Sequence, residues 1–271
     1  MGRFDGYLLV SDMDGTLINS KTQQIDEGNL RAIEEFMAEG GLFAFASGRT
    51  DGELIRYDNI LHSNTYAICF NGSCLYNFVT KDKKYISMLG REILPFLDWV
   101  NEKFPRASIV MTNDDTNCIY RRNRGNDIQD ALSGIPSIKV DDYHTFPGNW
   151  LRLAFWFESP QEADEFFNSA VSHGITEGYD LMRSYSILCE MMPKTSNKGV
   201  ALEKLRELVP SIKTAVSVGD ADNDLLMQQV ADISFAPSNA MDQVKDIVDF
   251  VMEESCCDNV VAAVIEKLKN M

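Results

Sequence analysis

Histidine is scarce in this chain: His62, His144 and His173 are the only three in 271 residues, and none is spaced to hold zinc. The six cysteines, at 69, 74, 118, 189, 256 and 257, contain no Cys-x-x-Cys pair. That pattern excludes a zinc ribbon and argues for free thiols in a reducing compartment rather than a disulfide framework. No run of 18 apolar residues occurs, so a membrane-spanning helix is not expected. Met1 to Val10 passes straight into a strand pattern without the basic and apolar stretches of a secretion signal, and Gly6 stands where a myristoylation signal needs Ser or Thr. A cytoplasmic protein is the expectation. Basic residues are also few, 25 against 41 acidic ones, for a net charge of −16. Nucleic acid demands a basic footprint and is excluded as a partner. A small anion would be repelled too, unless positive charge is concentrated at one place, as a metal ion would do.

What the chain does have is alternation of apolar strands with helices. Tyr7–Ser11, Gly41–Ser47 and Thr65–Asn71 are short apolar runs, and Thr214–Gly219, Ile233–Ala236 and Phe250–Met252 repeat the form near the other end. Helical stretches lie among them at Asp26–Glu39, Asn197–Leu208, Asp222–Val230, Ala240–Asp246 and Asn259–Lys269. Continuous apolar strands alternating with helices predict an α/β fold, a doubly wound parallel sheet covered on both faces. The middle differs, with polar turns at Lys81–Lys84 and Asn113–Asp115, an alternating strand over Leu151–Phe157 and a helix near Gln161–His173. It reads as an α+β insertion. The expected organisation is therefore a core domain of residues 1–80 and 191–271 with a domain of residues 81–190 inserted as a cap.

Ligands of an open α/β sheet bind beyond the carboxyl ends of its strands. The first strand empties into Asp12-Met13-Asp14-Gly15-Thr16-Leu17, where residues two apart on extended backbone face the same way. Two carboxylates so placed repel unless a cation sits between them. The second strand ends in Ser47-Gly48-Arg49-Thr50, a hydroxyl and exposed N–H groups at a helix entrance, suited to an anion. Lys198 opens a helix, the end that basic residues avoid unless an anion lies alongside. The fourth strand runs into Gly219-Asp220-Ala221-Asp222-Asn223-Asp224. A calcium loop of the EF-hand kind fails for both acidic stretches: the sixth and twelfth positions are Leu225 and Ala231 counted from Asp220, and Leu17 and Gln23 counted from Asp12, where Gly and Glu are needed.

Asp12-Met13-Asp14-Gly15-Thr16-Leu17-Ile18, Ala46-Ser47-Gly48-Arg49, Asn71-Gly72, Lys198-Gly199 and Gly219-Asp220-x-x-Asn223-Asp224-x-x-Met227 together resemble the haloacid dehalogenase superfamily. Within it they resemble the Cof-type sugar-phosphate phosphatases, the branch with an α/β cap of the C2B kind. The likeness covers the whole chain. One departure is Phe235-Ala236-Pro237-Ser238-Asn239-Ala240, where the family commonly has Gly and Met ahead of Asn-Ala. The resemblance implies a magnesium-dependent phosphatase in which Asp12 is the nucleophile and forms an aspartyl phosphate. Asp14 would protonate the leaving oxygen and then deprotonate the attacking water. Mg2+ would be held by Asp12, the backbone carbonyl of Asp14, and Asp220. Ser47, the Gly48 N–H, Lys198 and Asn223 would surround the phosphoryl oxygens, with Asp224 behind them orienting Lys198 or a metal-bound water, or serving as a buried structural aspartate. The cap would close over the crevice and select the leaving group, with Arg121, Arg122, Arg152 and Glu190 as candidates to contact it.

The expected partner is a small phosphorylated metabolite, with neither nucleic acid nor membrane, and with monomer and homodimer both left open. A phosphomutase of the same branch would use the same Asp12 and Asp14 but return the phosphoryl group to another sugar hydroxyl. A phospho-accepting receiver domain also combines acids, a hydroxyl, a lysine and magnesium. Its acceptor ends the third strand, where this chain has Asn71, and it is about half as long.

Overall fold

The apolar run at the start of the chain forms β1 (Tyr7–Asp12), with Leu8, Leu9 and Val10 wholly buried. Each such side chain gains roughly 1.5–3 kcal/mol on leaving water, as an upper bound. In the computed structural model, which describes residues 2–113, 116–132, 136–146 and 149–271, the chain divides into two units. Met1–Ile86 and Asn197–Met271 make one, and Ser87–Ser196 the other. The junctions fall after residues 86 and 196, rather than after 80 and 190.

The first unit continues through a short hairpin of β2 (Ile18–Asn19) and β3 (Gln24–Ile25), then α1 (Glu27–Ala38), β4 (Leu42–Ala46), α2 (Asp51–Leu61) and β5 (Tyr66–Cys69). Two strands follow that the sequence reading did not anticipate, β6 (Cys74–Asn77) and β7 (Lys83–Tyr85). Strand β6 pairs antiparallel with both β5 and β7, so the sheet is mixed rather than purely parallel. Lys83–Tyr85 lies where a polar turn was expected; as the outermost strand it carries the lysines that guard an open sheet edge. Helix α2 follows the helix entrance expected at Ser47-Gly48-Arg49-Thr50, although the sequence reading gave it no range. Its start signal is present as a capping box, Thr50 accepting from the Glu53 N–H while the Glu53 carboxylate accepts from the Thr50 N–H.

The second unit holds α3 (Leu94–Lys103), β8 (Ser108–Thr112), β9 (Asn117–Tyr120), α4 (Gly125–Leu132), β10 (Ser137–Val140), β11 (Arg152–Trp156), α5 (Pro160–His173), β12 (Tyr179–Tyr185) and β13 (Leu188–Pro193). Its sheet runs β10-β9-β8-β11-β13-β12. Phe96, Leu97 and Val100 of α3 and Ala163, Phe166 and Ala170 of α5 pack on one face with Ile109, Phe155 and Met191. Val110, Ile119, Ala154, Trp156 and Leu188 cluster separately. The turn expected at Asn113–Asp115 lies, for residues 114 and 115, outside the described residues.

The chain re-enters the first unit at α6 (Lys198–Leu208), followed by β14 (Thr214–Val218), α7 (Leu225–Val230), β15 (Ile233–Ala236), α8 (Asp242–Lys245), β16 (Phe250–Val251) and α9 (Val260–Lys269). The finished sheet reads β16-β15-β14-β1-β4-β5-β6-β7, with β16 through β5 parallel. Strand β1 thus lies at the centre, where Asp12 pairs with Ala46 and Ser11 with Val218. That register sets the carboxyl ends of β1, β4 and β14 side by side. No helix among the described residues is long and apolar enough to cross a membrane.

Candidate active site

Asp12 is the last residue of the central strand and is 6% exposed. The backbone then turns sharply, the Ile18 N–H donating to the Met13 carbonyl at 2.8 Å. Gly15 makes this turn at φ +92°, and a Cβ there would stand 2.4 Å from Oδ2 of Asp220. Conformation and space both require glycine at this point. Thr16 Oγ1 donates to Asp220 Oδ1 at 2.9 Å, fixing the second acid against the first loop.

Ser47 follows β4 and is buried; its hydroxyl accepts the Arg49 N–H at 3.1 Å and its carbonyl accepts the Asn71 N–H at 2.9 Å. Phe70 and Asn71 both adopt left-handed backbone, φ +51° and +50°. Such conformations cost side-chain-bearing residues energy and cluster at working sites. Asn71 Oδ1 accepts from Asn223 Nδ2 at 2.9 Å, and a Cβ on Gly48 would meet Asn71 Nδ2 at 2.9 Å.

Lys198 is the first residue of α6, capped by the Asn197 side chain, and is wholly buried. Its ammonium donates to Asp12 Oδ1 at 2.5 Å and to Asp224 Oδ1 at 2.6 Å. The conflict with the helix macrodipole is removed by these two carboxylates. Asp224 Oδ2 in turn accepts the N–H groups of Asp220 and Ala221 at 3.0 and 3.1 Å, so one carboxylate locks both the lysine and the acidic loop.

The electrostatics follow from burial. Asp12 is pushed well above the usual carboxylate range, chiefly by desolvation, with Lys198 opposing and Asp224 and Asp220 reinforcing. Asp220 is pushed up to about 6 by burial and by Asp224, against the Thr16 hydrogen bond and Lys198. Desolvation works to discharge the Lys198 ammonium, but Asp12 and Asp224 outweigh it and hold the group above its ordinary value.

Oxygen atoms of Asp12, Asp220 and Asp224 lie within 4.8 Å of one another. Three carboxylates against one ammonium leave a formal charge of −2 in a site mostly closed to water. An all-oxygen donor set with that imbalance fits a hard divalent cation such as Mg2+. Asp14 is placed differently: its side chain is 54% exposed and is gripped by Arg49, Nη2 to Oδ1 at 2.6 Å and Nε to Oδ2 at 2.8 Å.

The sequence profile of the haloacid dehalogenase-like hydrolases matches residues 9–265, a span that takes in every one of these side chains. The chain belongs to this family. Among relatives of this hydrolase is the 5-amino-6-(5-phospho-D-ribitylamino)uracil phosphatase YcsE of Bacillus subtilis, 24% identical over 261 residues that cover 96% of this chain and 95% of YcsE. A haloacid dehalogenase-like hydrolase from Bacteroides thetaiotaomicron superposes with a TM-score of 0.82 at 22% identity, covering 98% of this chain and all of that one. The subclass IIB sugar phosphatase BT4131 does so with a TM-score of 0.75 at 20% identity, covering 98% and 100%. The hydrolase is of the phosphoric monoester class, and its fold is the α/β core with inserted domain that its motifs implied.

Of the residues singled out from sequence, the haloacid dehalogenase-like site brings Asp12, Lys198, Asp220 and Asp224 into one cluster. Ser47 and Asn223 are joined to each other through Asn71. Asn71 and Arg49 were not assigned roles, although both stood inside quoted motifs. Thr16 and Asn239 were missed as well; Asn239 Nδ2 holds the Gly15 carbonyl at 2.8 Å. The cap candidates are engaged inside their own unit. Arg152 pairs with Glu190 at 2.7 Å, Arg122 with Asp127 at 2.7 Å, and Arg121 donates to the Pro105 carbonyl.

Proposed function

We propose that this phosphatase hydrolyses small phosphate monoesters, sugar phosphates foremost, through a phosphoryl group carried on Asp12, with Mg2+ and in the cytoplasm. The carrying observation is the buried Lys198 ammonium shared by Asp12 and Asp224 beside Asp220. A cation wholly removed from water is costly unless matched by anions, and the Lys198 ammonium opposes the burial that pushes Asp12 upward.

In this reading an Asp12 carboxylate oxygen bonds to phosphorus as the ester oxygen departs on the far side. Asp14 gives that oxygen a proton, after exchanging its Arg49 partner for the ester, then takes one from the water that cleaves the aspartyl phosphate. Lys198, the Ser47 hydroxyl, the Gly48 N–H and the Asn223 amide bind the phosphoryl oxygens, where charge shifts in the transition state. Mg2+ held by Asp12, Asp14 and Asp220 supplies the charge that lets two anions meet. YcsE is named for a substrate with phosphate on a ribityl chain, and BT4131 for sugar phosphates, which supports polyol and sugar esters as the class.

The test is phosphate release from a panel of sugar and polyol phosphates by the native chain and by Asp12→Asn, with Mg2+ and with a chelator. Release confined to the native chain with Mg2+ is expected. Turnover by Asp12→Asn within about tenfold of the native rate would remove the nucleophile from the proposal. A native rate that requires a bisphosphorylated sugar would turn the enzyme into a mutase.

A further inference from the structure

Cys256 and Cys257 are the two cysteines of the chain adjacent in sequence, and their sulfurs lie 3.8 Å apart. The four others, Cys69, Cys74, Cys118 and Cys189, are buried, and burial pushes the Cys69, Cys118 and Cys189 thiols up. Cys257 is different. It is half-buried, and Ser20 Oγ, at the turn of the β2–β3 hairpin, stands 3.4 Å from its sulfur. The Ser20 hydroxyl and the backbone N–H groups of Ser20 and Lys21 draw this thiol below its ordinary value. A partly exposed sulfur ringed by donors is the environment of a reactive thiolate, and a buried neighbour at contact distance is the environment of a resolving thiol.

The pair is also wired to the acid loop. The Cys256 N–H donates to Asn239 Oδ1 at 2.8 Å, and the amide of the same Asn239 holds the Gly15 carbonyl at 2.8 Å. Gly15 is the residue packed against Asp220.

We propose that Cys256 and Cys257 form a thiol–disulfide switch on this enzyme. The Cys257 thiolate attacks a sulfur of a low-molecular-weight disulfide, forming a mixed disulfide and expelling one small thiolate. The Cys256 thiol, losing its proton, then displaces the second small thiol and closes the Cys256–Cys257 disulfide. Two protein thiols are oxidised by two electrons and one small disulfide is reduced to two thiols. Neighbouring Cα atoms across a trans peptide lie about 3.8 Å apart, below the roughly 4.4–6.8 Å of ordinary disulfides. Closure therefore strains the backbone at 256 and 257, where Asn239 is anchored, and the strain keeps the bond easily reduced. The oxidised form loses its grip on the Gly15 loop and activity falls.

The experiment treats the folded, full-length chain with glutathione disulfide and follows intact mass, free thiols and phosphate release. The native chain is expected to lose two thiols and retain no glutathione, while Cys256→Ser retains one glutathione and Cys257→Ser does not react. Turnover of the native chain should drop by about tenfold on oxidation and return with dithiothreitol, whereas Cys257→Ser keeps its activity throughout. Ser20→Ala, which leaves both sulfurs in place, should slow the reaction by roughly threefold. Reaction of Cys257→Ser at the native rate, or glutathione retained on the native chain, would overturn the switch. So would full turnover by the oxidised protein.

Discussion

Replacing Lys198 by methionine tests the electrostatic core of the site without changing its bulk much. The substitution leaves buried Asp12 and Asp224 beside half-buried Asp220 with no cation. Removing one partner of a buried pair costs about 3–5 kcal/mol, because the remaining charge is uncompensated. At about 2–4 °C per kcal/mol for a protein of this size, the melting temperature should fall by roughly 6–20 °C at pH 8. The loss should depend on pH with a definite sign. Burial already raises Asp12, and raises Asp220 from 3.8 to about 6. Between the unfolded and folded values the native chain holds more protons than the unfolded chain, so stability falls as pH rises through that window. Without Lys198 the folded values rise further, so the penalty is full at pH 8 and shrinks at pH 5, where protons replace the ammonium. Mg2+ at pH 8 should recover part of the loss by binding the native state alone. Circular-dichroism melts of both proteins at the two pH values, with and without Mg2+, measure all of this. Equal destabilisation at pH 5 and pH 8, or none at pH 8, would refute the reasoning.

Mg2+ affinity, followed by calorimetry, should weaken as pH falls below about 6, by up to about tenfold per unit, as protons compete for Asp220. Gly15→Ala should lose both metal affinity and stability, the latter by roughly 1–3 kcal/mol, since its backbone has positive φ and the new methyl would collide with Asp220. A denaturant titration reads the stability term. Asn71→Ala and Asn223→Ala should each lower kcat/KM by about tenfold, and the double variant by less than the product, because one hydrogen bond joins the two side chains. Arg49→Ala should melt within about 3 °C of the native chain, because its Asp14 partner is more than half exposed and such pairs contribute little.

The parts of the site legible in the sequence are those that sit directly after buried strands. Asp12 and Asp220 were placed by apolar runs that stop at an acid, since a fully buried parallel strand announces itself as continuous apolar sequence. Lys198 showed through its conflict with the helix dipole. Asp224 was read as orienting Lys198 or a metal-bound water, or as a buried structural aspartate; its carboxylate accepts from the lysine ammonium and from the Asp220 and Ala221 N–H groups. Helix α2 had no range from the sequence because the acid Asp58 stands on its buried face beside Leu54, Tyr57 and Leu61, where it accepts from the Ser63 N–H and hydroxyl. Strand β7 was hidden because an edge strand is polar like the loops around it, and β6 because its buried apolar run is only Cys74 and Leu75. The Asn71–Asn223 link joins residues 152 positions apart, and no local pattern encodes such a partner.

The central position of β1 has a consequence for how the chain is made. Its two neighbours are separated in sequence by the whole inserted unit: Leu42–Ala46 leaves the ribosome early and Thr214–Val218 late. Until the later segment emerges, the nascent chain holds its central strand with one edge unpaired, the condition that invites pairing between chains. Truncations ending before residue 214 should accumulate in the insoluble fraction, and those reaching past residue 251, where β16 closes the sheet, should not. While the inserted unit is being translated, that open edge of β1 is still unpaired.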